Sequence, residues 1–190
     1  MEPRSVQPMK RVVVIGTSCS GKTTFASRLA DKLAIAHTEL DVLNWLPDWQ
    51  MRPIEGFRSL VAEVAAQDRW VIDGNYGKVR DIIWPRATHL VWLNYPFRTV
   101  FSRALSRTLR RVVSREELFA GNRESLSRAL FNRESIVWWV LRTYRRRRRE
   151  YPQLFQLPQN KHLEIIELKN QLEADRFIAG IQPGYGPISY

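Results

Sequence analysis

The stretch VVVIGTSCSGKT at residues 12–23 decides the fold of this chain. Its first four residues are apolar and β-branched, which predicts a buried strand. Gly16 and Gly21, with four residues between them, are followed by Lys-Thr, and this is the spacing of a phosphate-binding loop. Apolar residues then recur at helical intervals, at Phe25, Ala26, Leu29, Ala30 and Leu33. The order strand, loop, helix is the context that such a loop requires.

The chemistry of this loop predicts a nucleoside triphosphate, ATP, as its ligand. Glycines let successive backbone N–H groups turn inward around phosphate oxygens, and the following helix N-terminus adds partial positive charge. Lys22 is expected to reach the β- and γ-phosphates, and the Thr23 hydroxyl to bind Mg²⁺. A Gly/Ser-rich turn that binds nothing is the alternative, and the combined signals disfavour it. The residues predicted to hold the nucleotide are Gly16, Thr17, Ser18, Cys19, Ser20, Gly21, Lys22, Thr23 and Thr24.

Length and composition indicate one folded domain. The 190 residues are 44% hydrophobic, enough for one full core. We expect a flexible leader at 1–9, a single domain at 10–182 and a tail at 183–190. The apolar runs, such as 136–141, are too short to span a bilayer, which predicts no membrane partner. A lone cysteine excludes an internal disulfide and fits a reducing compartment, so a cytoplasmic location is expected.

The excess positive charge is local. Residues 98–149 contain 15 Arg and 4 acidic residues, whereas the remainder of the chain is neutral, within a total of +11. A surface for nucleic acid and a set of arginines around a polyphosphate both remain open as explanations. Arginine, with its planar set of donors, suits either ligand.

The alternation of strand and helix patterns predicts a parallel sheet with crossover helices. Helices are expected after Pro53, from Pro96, from about 133 to 150, and through Leu172, Phe177 and Ile178. The helix from Pro96 is predicted to carry on one side the residues Val100, Phe101, Ala104, Leu105, Thr108 and Leu109. The strands are predicted at 11–15, 36–40, 70–73, 89–93 and 163–168.

Over most of its length the chain resembles the P-loop kinases, which include adenylate, shikimate and gluconate kinases. Within that superfamily, Asp73-Gly74-Asn75-Tyr76 and Gly121-Asn122-Arg123-Glu124 look like the group called DNA topology modulation proteins. The resemblance implies a three-layer α/β fold with a central parallel sheet of about five strands and a short Arg-rich lid. It also implies ATP- and Mg²⁺-dependent phosphoryl transfer to a small acceptor, with a nucleotide or nucleoside favoured.

Several roles follow from the similarity to adenylate kinases. Asp73 ends a strand as their Asp-Gly does, which implies a place in the metal shell; a solvated turn is the alternative. Arg103 and Arg107 follow Pro96 at the offsets of two nucleotide-contacting arginines. Because they are four residues apart on a helix, both can reach one polyphosphate.

The polar stretch at 112–135 is the expected lid, with Gly121-Asn122 as a flexible break. Arg123, Arg128 and Arg133 are candidates for closing over the γ-phosphate, where the transition state spreads its charge. Of these, Arg123 and Arg133 are predicted as catalytic residues.

The sequence departs from adenylate kinases on the acceptor side. Asn75-Tyr76-Gly77 stands where those enzymes have Phe-Pro-Arg. Glu39 and Asp41 instead resemble a carboxylate pair of shikimate kinases, which implies that Asp41 orients the acceptor hydroxyl and accepts its proton. An Asp that only begins a turn is the alternative, and the acceptor stays open.

Aromatic and histidine residues near these motifs carry weaker signals. Trp84 is expected to pack in the core, whereas Trp45 and Tyr76 are left open between core packing and an acceptor wall. His37, His89 and His162 lack metal-site or triad spacing and are expected to be structural.

Arg145 to Arg149 form the last feature. Five consecutive residues circle a helix, so they cannot all face one ligand, and capping of the helix C-terminus is favoured. The alternative function is a nucleotide-regulated nucleic-acid-binding protein affecting DNA topology, with contacts through 98–149. A simple NTPase switch ranks last, because no water-positioning or guanine-specificity motif is recognisable.

Overall fold

The computed structural model describes residues 8–114 and 136–181. Its sheet has five strands, all parallel, in the order β2-β3-β1-β4-β5. This confirms the three-layer α/β fold with a five-stranded parallel sheet. The strands are β1 (Arg11–Gly16), β2 (His37–Glu39), β3 (Trp70–Asp73), β4 (His89–Leu93) and β5 (Glu164–Leu168).

Helices connect the strands and cover both faces of the sheet. In chain order they are α1 (Lys22–Leu33), α2 (Leu40–Asn44), α3 (Ile54–Ala66), α4 (Arg80–Ile83), α5 (Phe97–Ser114), α6 (Ile136–Phe155) and α7 (Gln171–Gly180). Short 3₁₀ turns lie at Pro47–Trp49, Gly77–Val79, Trp84–Arg86 and Pro158–Asn160. Within the described part of the chain, no helix is both long and apolar enough to cross a membrane.

Alternation along β1 divides the core into two layers. Val12 and Val14 face one side, and they pack with buried residues of α1, α5 and α7. Val13 and Ile15 face the other side, against α3 and α4. Successive side chains of a strand point to opposite faces, so a strand covered on both sides must be apolar throughout. β1 is therefore the centre of both layers.

Helix α6 belongs to both layers. Its Tyr144 packs in the layer of α1 and α5, whereas Tyr151 packs in the layer of α3 and α4. The helix thus crosses from one side of the sheet to the other. Its passage lies beside the end of β1, because Tyr151 hydrogen-bonds to Asn75, which is bound to Gly16. This path brings α6 to the phosphate-binding loop.

The predicted elements of the sheet are confirmed, with shifts of one or two residues at their ends. Two short helices, α2 and α4, were not predicted. On α5, Val100, Ala104 and Thr108 are buried as expected, but Leu105 and Leu109 are 39% and 47% exposed, so the predicted apolar side was too wide. The predicted leader, tail and lid fall largely on 1–7, 182–190 and 115–135, which lie outside the described residues.

The capping prediction for Arg145 to Arg149 is wrong. Helix α6 continues to Phe155 through Pro152, and its last turn contains no basic residue. The arginine run therefore lies within the helix. Its central member, Arg147, is only 8% exposed, while the other four are exposed.

The buried His89 ties β4 to β5 through a contact with the exposed side chain of Glu164. Its Nε2 lies 3.2 Å from Glu164 Oε2, and its Nδ1 lies 2.9 Å from Thr88 Oγ1. Burial lowers the pKa of His89 from its ordinary 6.5, and the Glu164 charge offsets part of this effect. His89 is therefore neutral in the folded protein over a range where the unfolded chain already binds a proton.

This shift predicts that the free energy of unfolding falls as the pH drops below about 6.5, because the unfolded chain then takes up a proton that the fold excludes. Urea unfolding of the full chain between about pH 7.5 and pH 5.5 measures the slope. His89→Gln should flatten part of it. An identical slope in the variant would contradict this role of His89.

Candidate nucleotide and acceptor site

The phosphate-binding loop joins β1 to α1 through unusual backbone conformations. Cys19 and Gly21 have φ values of 64° and 91°, in the left-handed region. The Ser20 N–H donates to the Thr17 carbonyl at 3.0 Å, and the Phe25 N–H donates to the Gly21 carbonyl at 2.9 Å, which starts α1. The free N–H groups at this helix start suit an anion.

Lys22 projects from the first residue of α1. Its Nζ lies 3.4 Å from the Thr17 carbonyl oxygen and has no carboxylate within salt-bridge distance among the described residues. Burial lowers the pKa of Lys22; Asp73 and Asp41 raise it, while Arg147 lowers it further. The loop therefore holds a desolvated ammonium group that a phosphate would stabilise.

Carboxylates gather on the side of Thr23. The Thr23 Oγ1 lies 3.2 Å from Glu39 Oε1 and 3.3 Å from Asp73 Oδ1. Burial, followed by the charges of Asp73 and Asp41, raises the pKa of Glu39. His37 Nε2 lies 2.8 Å from Asp73 Oδ2 and holds this buried carboxylate in place. Strands β2 and β3 end side by side, and this pairing brings the carboxylates together.

Asp41 lies in the first turn of α2, one residue past the predicted strand end. The Tyr76 hydroxyl donates to Asp41 Oδ1 in a short hydrogen bond. Burial and the Asp41 charge raise the pKa of Tyr76, so the phenol stays protonated and remains a donor. Nearby, the Asn44 side chain is 5% exposed. Tyr76 thus holds Asp41 rather than serving only as an apolar wall.

Arg103 braces the loop from α5. It donates from Nη1 to the Ser20 carbonyl at 3.0 Å and from Nη2 to Gln171 Oε1 at 2.9 Å. Its guanidinium Cζ lies 5.2 Å from the centre of the Tyr95 ring. Arg107, one turn later, has a buried Nε without a partner in the described part of the chain. One arginine is therefore committed to the loop, and the other has a free donor.

Arg147 is the residue that the sequence analysis missed. Its Nη1 is buried and makes no hydrogen bond to any described residue. Burial lowers the pKa of Arg147; Tyr151 and Asp41 oppose this effect. The charge of Arg147 also lowers the pKa of Lys22. A buried donor of this kind costs stability unless a ligand accepts from it.

The structure brings most of the predicted residues to one cleft of about 430 Å³. Asp73 does not line the cleft but contacts Thr23, which does. Thr17 and Ser20 belong to the loop and are buried. Arg123 and Arg133 lie outside the described residues. The cleft is lined by Ser18, Cys19, Gly21, Lys22, Thr23, Thr24, Glu39, Asp41, Arg103, Ser106, Arg107 and Arg110.

Other expectations have mixed outcomes. Trp84 is 4% exposed and packs against Phe155, which confirms its core role. Trp45 packs edge-to-face on Trp49 and is half-buried. His37 does hold a structural partner, but that partner is Asp73 at the candidate site. The sequence does contain a signal for Arg147. The apolar stripe continues through Tyr144, Tyr151 and Phe155, so helix α6 extends past the arginine run and the run lies inside the helix.

Comparisons with solved structures find this fold in shikimate kinases. The enzyme from Acinetobacter baumannii, in complex with shikimate, matches with a TM-score of 0.56 and 13% identity, over 92% of this chain and 91% of that chain. The enzyme from Bacteroides thetaiotaomicron matches with a TM-score of 0.51 and 16% identity, over 90% of this chain and 94% of that chain. The enzyme from Aquifex aeolicus matches with a TM-score of 0.51 and 15% identity, over 90% of this chain and 92% of that chain. No family model matches the sequence, and no curated protein matches it significantly. The likeness shows that this chain has the fold of the P-loop kinases.

The buried charge of Arg147 is expected to lower the stability of the ligand-free fold. Arg147→Met keeps much of the apolar contact of the stem and removes the unpaired cation, so the free energy of unfolding should rise by about 1–3 kcal/mol. Urea unfolding without ligand measures it.

Arg146→Met is the matched control, since Arg146 is exposed on the same helix, and its effect should stay within about 0.5 kcal/mol. Destabilisation of Arg147→Met relative to the natural chain would show that the fold already satisfies this charge.

Proposed function

We propose that this protein transfers the γ-phosphoryl group of Mg·ATP to a hydroxyl of a small acceptor that carries an anionic group. The observation that carries the proposal is that Lys22 of the phosphate-binding loop and the carboxylate Asp41 line one cleft, while the nearby helix α6 holds a buried Arg147 whose Nη1 has no partner among the described residues. A bound polyanion would pair with these cations, and the carboxylate would serve the hydroxyl.

The nucleotide half of the site follows from the loop. Backbone N–H groups of the loop and the start of α1 would hold the phosphate oxygens, with Lys22 at the β- and γ-phosphates. Arg107, with its free Nε, would add charge from α5, while Arg103 keeps the loop in position. Arg123 and Arg133 remain the proposed residues for closing over the γ-phosphate.

The donors present fit Mg²⁺. A threonine hydroxyl and carboxylates are hard oxygen ligands, and Mg²⁺ in such sites takes one or two carboxylates together with phosphates. Thr23 and Asp73 would hold the ion, with Glu39 adjacent. No cluster of three or more His, Cys, Asp or Glu side chains suited to a metal occurs among the described residues. When bound, Mg²⁺ would neutralise phosphate charge.

On the acceptor side, Asp41 would accept the proton of the acceptor hydroxyl. The oxygen of that hydroxyl would bond to the γ-phosphorus as the bond from the γ-phosphorus to ADP breaks. The Tyr76 hydrogen bond orients Asp41 for this task. Arg147 would bind a phosphate or carboxylate of the acceptor. Of the acceptors that the sequence favours, a nucleotide has such a group and a nucleoside lacks it. The shikimate kinases of similar fold support a kinase in general.

A phosphoryl-transfer screen with Mg·ATP tests this proposal. Each nucleoside monophosphate is compared with its own nucleoside, and each small hydroxy acid with its amide, so that only the anionic group differs. We expect transfer to one anionic acceptor and little to its neutral partner. Preference for the neutral member would overturn the role of Arg147.

Lys22→Ala should lower kcat/KM for the acceptor identified in this screen on the order of 10³-fold. Asp41→Asn should lower it by about 10²-fold or more. Each variant removes a charge that acts in the transition state. Lys32→Ala, an exposed lysine of the same helix, is the control and should leave kcat/KM unchanged. Undiminished turnover in Lys22→Ala would remove the loop from the reaction.

The second candidate function, nucleic-acid binding as in DNA topology modulation proteins, is favoured by the exposed arginines of α6. Arg145, Arg146 and Arg149 are exposed, and their side chains form no ion pair with the carboxylates of residues 8–114 or 136–181. Replacing all three by Gln should reduce the salt slope of DNA binding by about 2–3 if each neutralises one phosphate. Filter binding at several salt concentrations measures this slope, and an unchanged slope would exclude these residues.

A further inference from the structure

The last residue of β1 has backbone groups that no strand can satisfy. Strand β3 ends at Asp73, and Gly74 donates its N–H to the Val14 carbonyl at 3.2 Å before the chain turns away. A side chain at Gly74 would collide with Leu40, so the turn is tight. Alternate residues of a strand bond to the same neighbour, so the N–H and C=O of Gly16 point toward the place that β3 has left.

Asn75 completes this ladder with its side chain. Its Oδ1 accepts from the Gly16 N–H at 3.1 Å, and its Nδ2 donates to the Gly16 carbonyl at 2.5 Å. Two bonds to one residue fix both the position and the orientation of the loop's first peptide groups. The side-chain amide therefore sets where the phosphate-binding loop begins.

Tyr151 of α6 locks the amide in turn. Its hydroxyl donates to Asn75 Oδ1 at 3.0 Å, and the residue is 3% exposed. Burial raises the pKa of Tyr151, so the hydroxyl remains a donor. The cavity beside this contact has a volume of about 10 Å³, so it has space for no more than one water. Bulk water cannot replace these hydrogen bonds.

Tyr151 also fixes the helix that carries Arg147. The two residues are four apart, so they lie on the same face of α6. Tyr151 meets the start of the loop through Asn75, and the charge of Arg147, one helix turn earlier, acts on Lys22 at the other end of the loop. One chain of hydrogen bonds thus connects the loop backbone with the helix turn that positions the acceptor-side cation.

We propose that Asn75 and Tyr151 are positioning residues that couple nucleotide binding in the loop to the placement of Arg147 on α6. Nucleotide binding orders the loop, Asn75 transmits the position of Gly16, and Tyr151 holds α6 where Arg147 meets the acceptor. The proposal rests on the nucleotide site of the proposed function. It adds that binding at the two halves of the cleft is cooperative.

Amide hydrogen exchange of the full chain with and without a non-hydrolysable Mg·ATP analogue tests the coupling. In the natural protein, we expect the analogue to slow exchange in peptides covering residues 12–24 and 142–155. In Tyr151→Phe, the protection of 12–24 should remain while that of 142–155 falls to less than half. Tyr144→Phe is the matched control: its hydroxyl donates to the Tyr95 carbonyl on the same helix, away from Asn75, and its variant should keep both effects.

Asn75→Ala provides a second measurement. Loss of both bonds to Gly16 should raise the Kd for the analogue about 5- to 20-fold, since a single hydrogen bond is worth about 2- to 10-fold. Tyr151→Phe should raise it by less than about 5-fold, because the bonds from Asn75 to Gly16 remain. Unfolding in urea shows whether each variant is folded under the conditions used.

The outcomes separate the two proposals. Full analogue-induced protection of 142–155 in Tyr151→Phe, or natural affinity in Asn75→Ala, would overturn the coupling while leaving the nucleotide site intact. Absence of analogue binding to the natural protein would overturn the proposed function itself, and the coupling with it.

Discussion

The burial of β1 on both faces and along both edges is the constraint on which the site depends. Its neighbours β3 and β4 satisfy its backbone groups up to Val14 and Ile15, and the two core layers fill both faces. At Gly16 the strand must end beside the Leu93 carbonyl, where an added Cβ would come within 2.8 Å. Only a glycine fits there, and its polar groups need a partner, which Asn75 supplies. Asn75 thus holds the first residue of the loop, Gly16, before any ligand binds.

Charge is the second organising feature, and it opposes stability. Burial and the charges of Asp73 and Asp41 raise the pKa of Glu39, while burial and the charge of Arg147 lower the pKa of Lys22. A fold selected only for stability would not gather desolvated groups of like charge. In the proposed function, a nucleotide with its cation would supply the missing opposite charges, and the site would be completed by its ligands.

Much of the fold was predictable because its signals are local. The glycine spacing around Lys22, the helical recurrence from Phe25 to Leu33, and the uniformly apolar strands each depend on neighbouring residues alone. The small helix α2 was missed, since five residues around Asp41 show no periodicity. The end of α6 was misplaced because Pro152 normally stops a helix, whereas tertiary contacts of Tyr151 and Phe155 stabilise its last turn here.

By itself, the sequence determined the phosphate-binding loop, the parallel α/β architecture and the chemistry available at Lys22, Thr23 and Asp73, because those depend on residue type and short spacing. The tertiary structure alone decided which arginine of five is buried. At about 100° per residue a helix presents each member to a different direction, so only the path of α6 across the sheet decides that Arg147 is the buried one. The same path places Tyr151 on Asn75, residues 76 positions apart that only folding brings together.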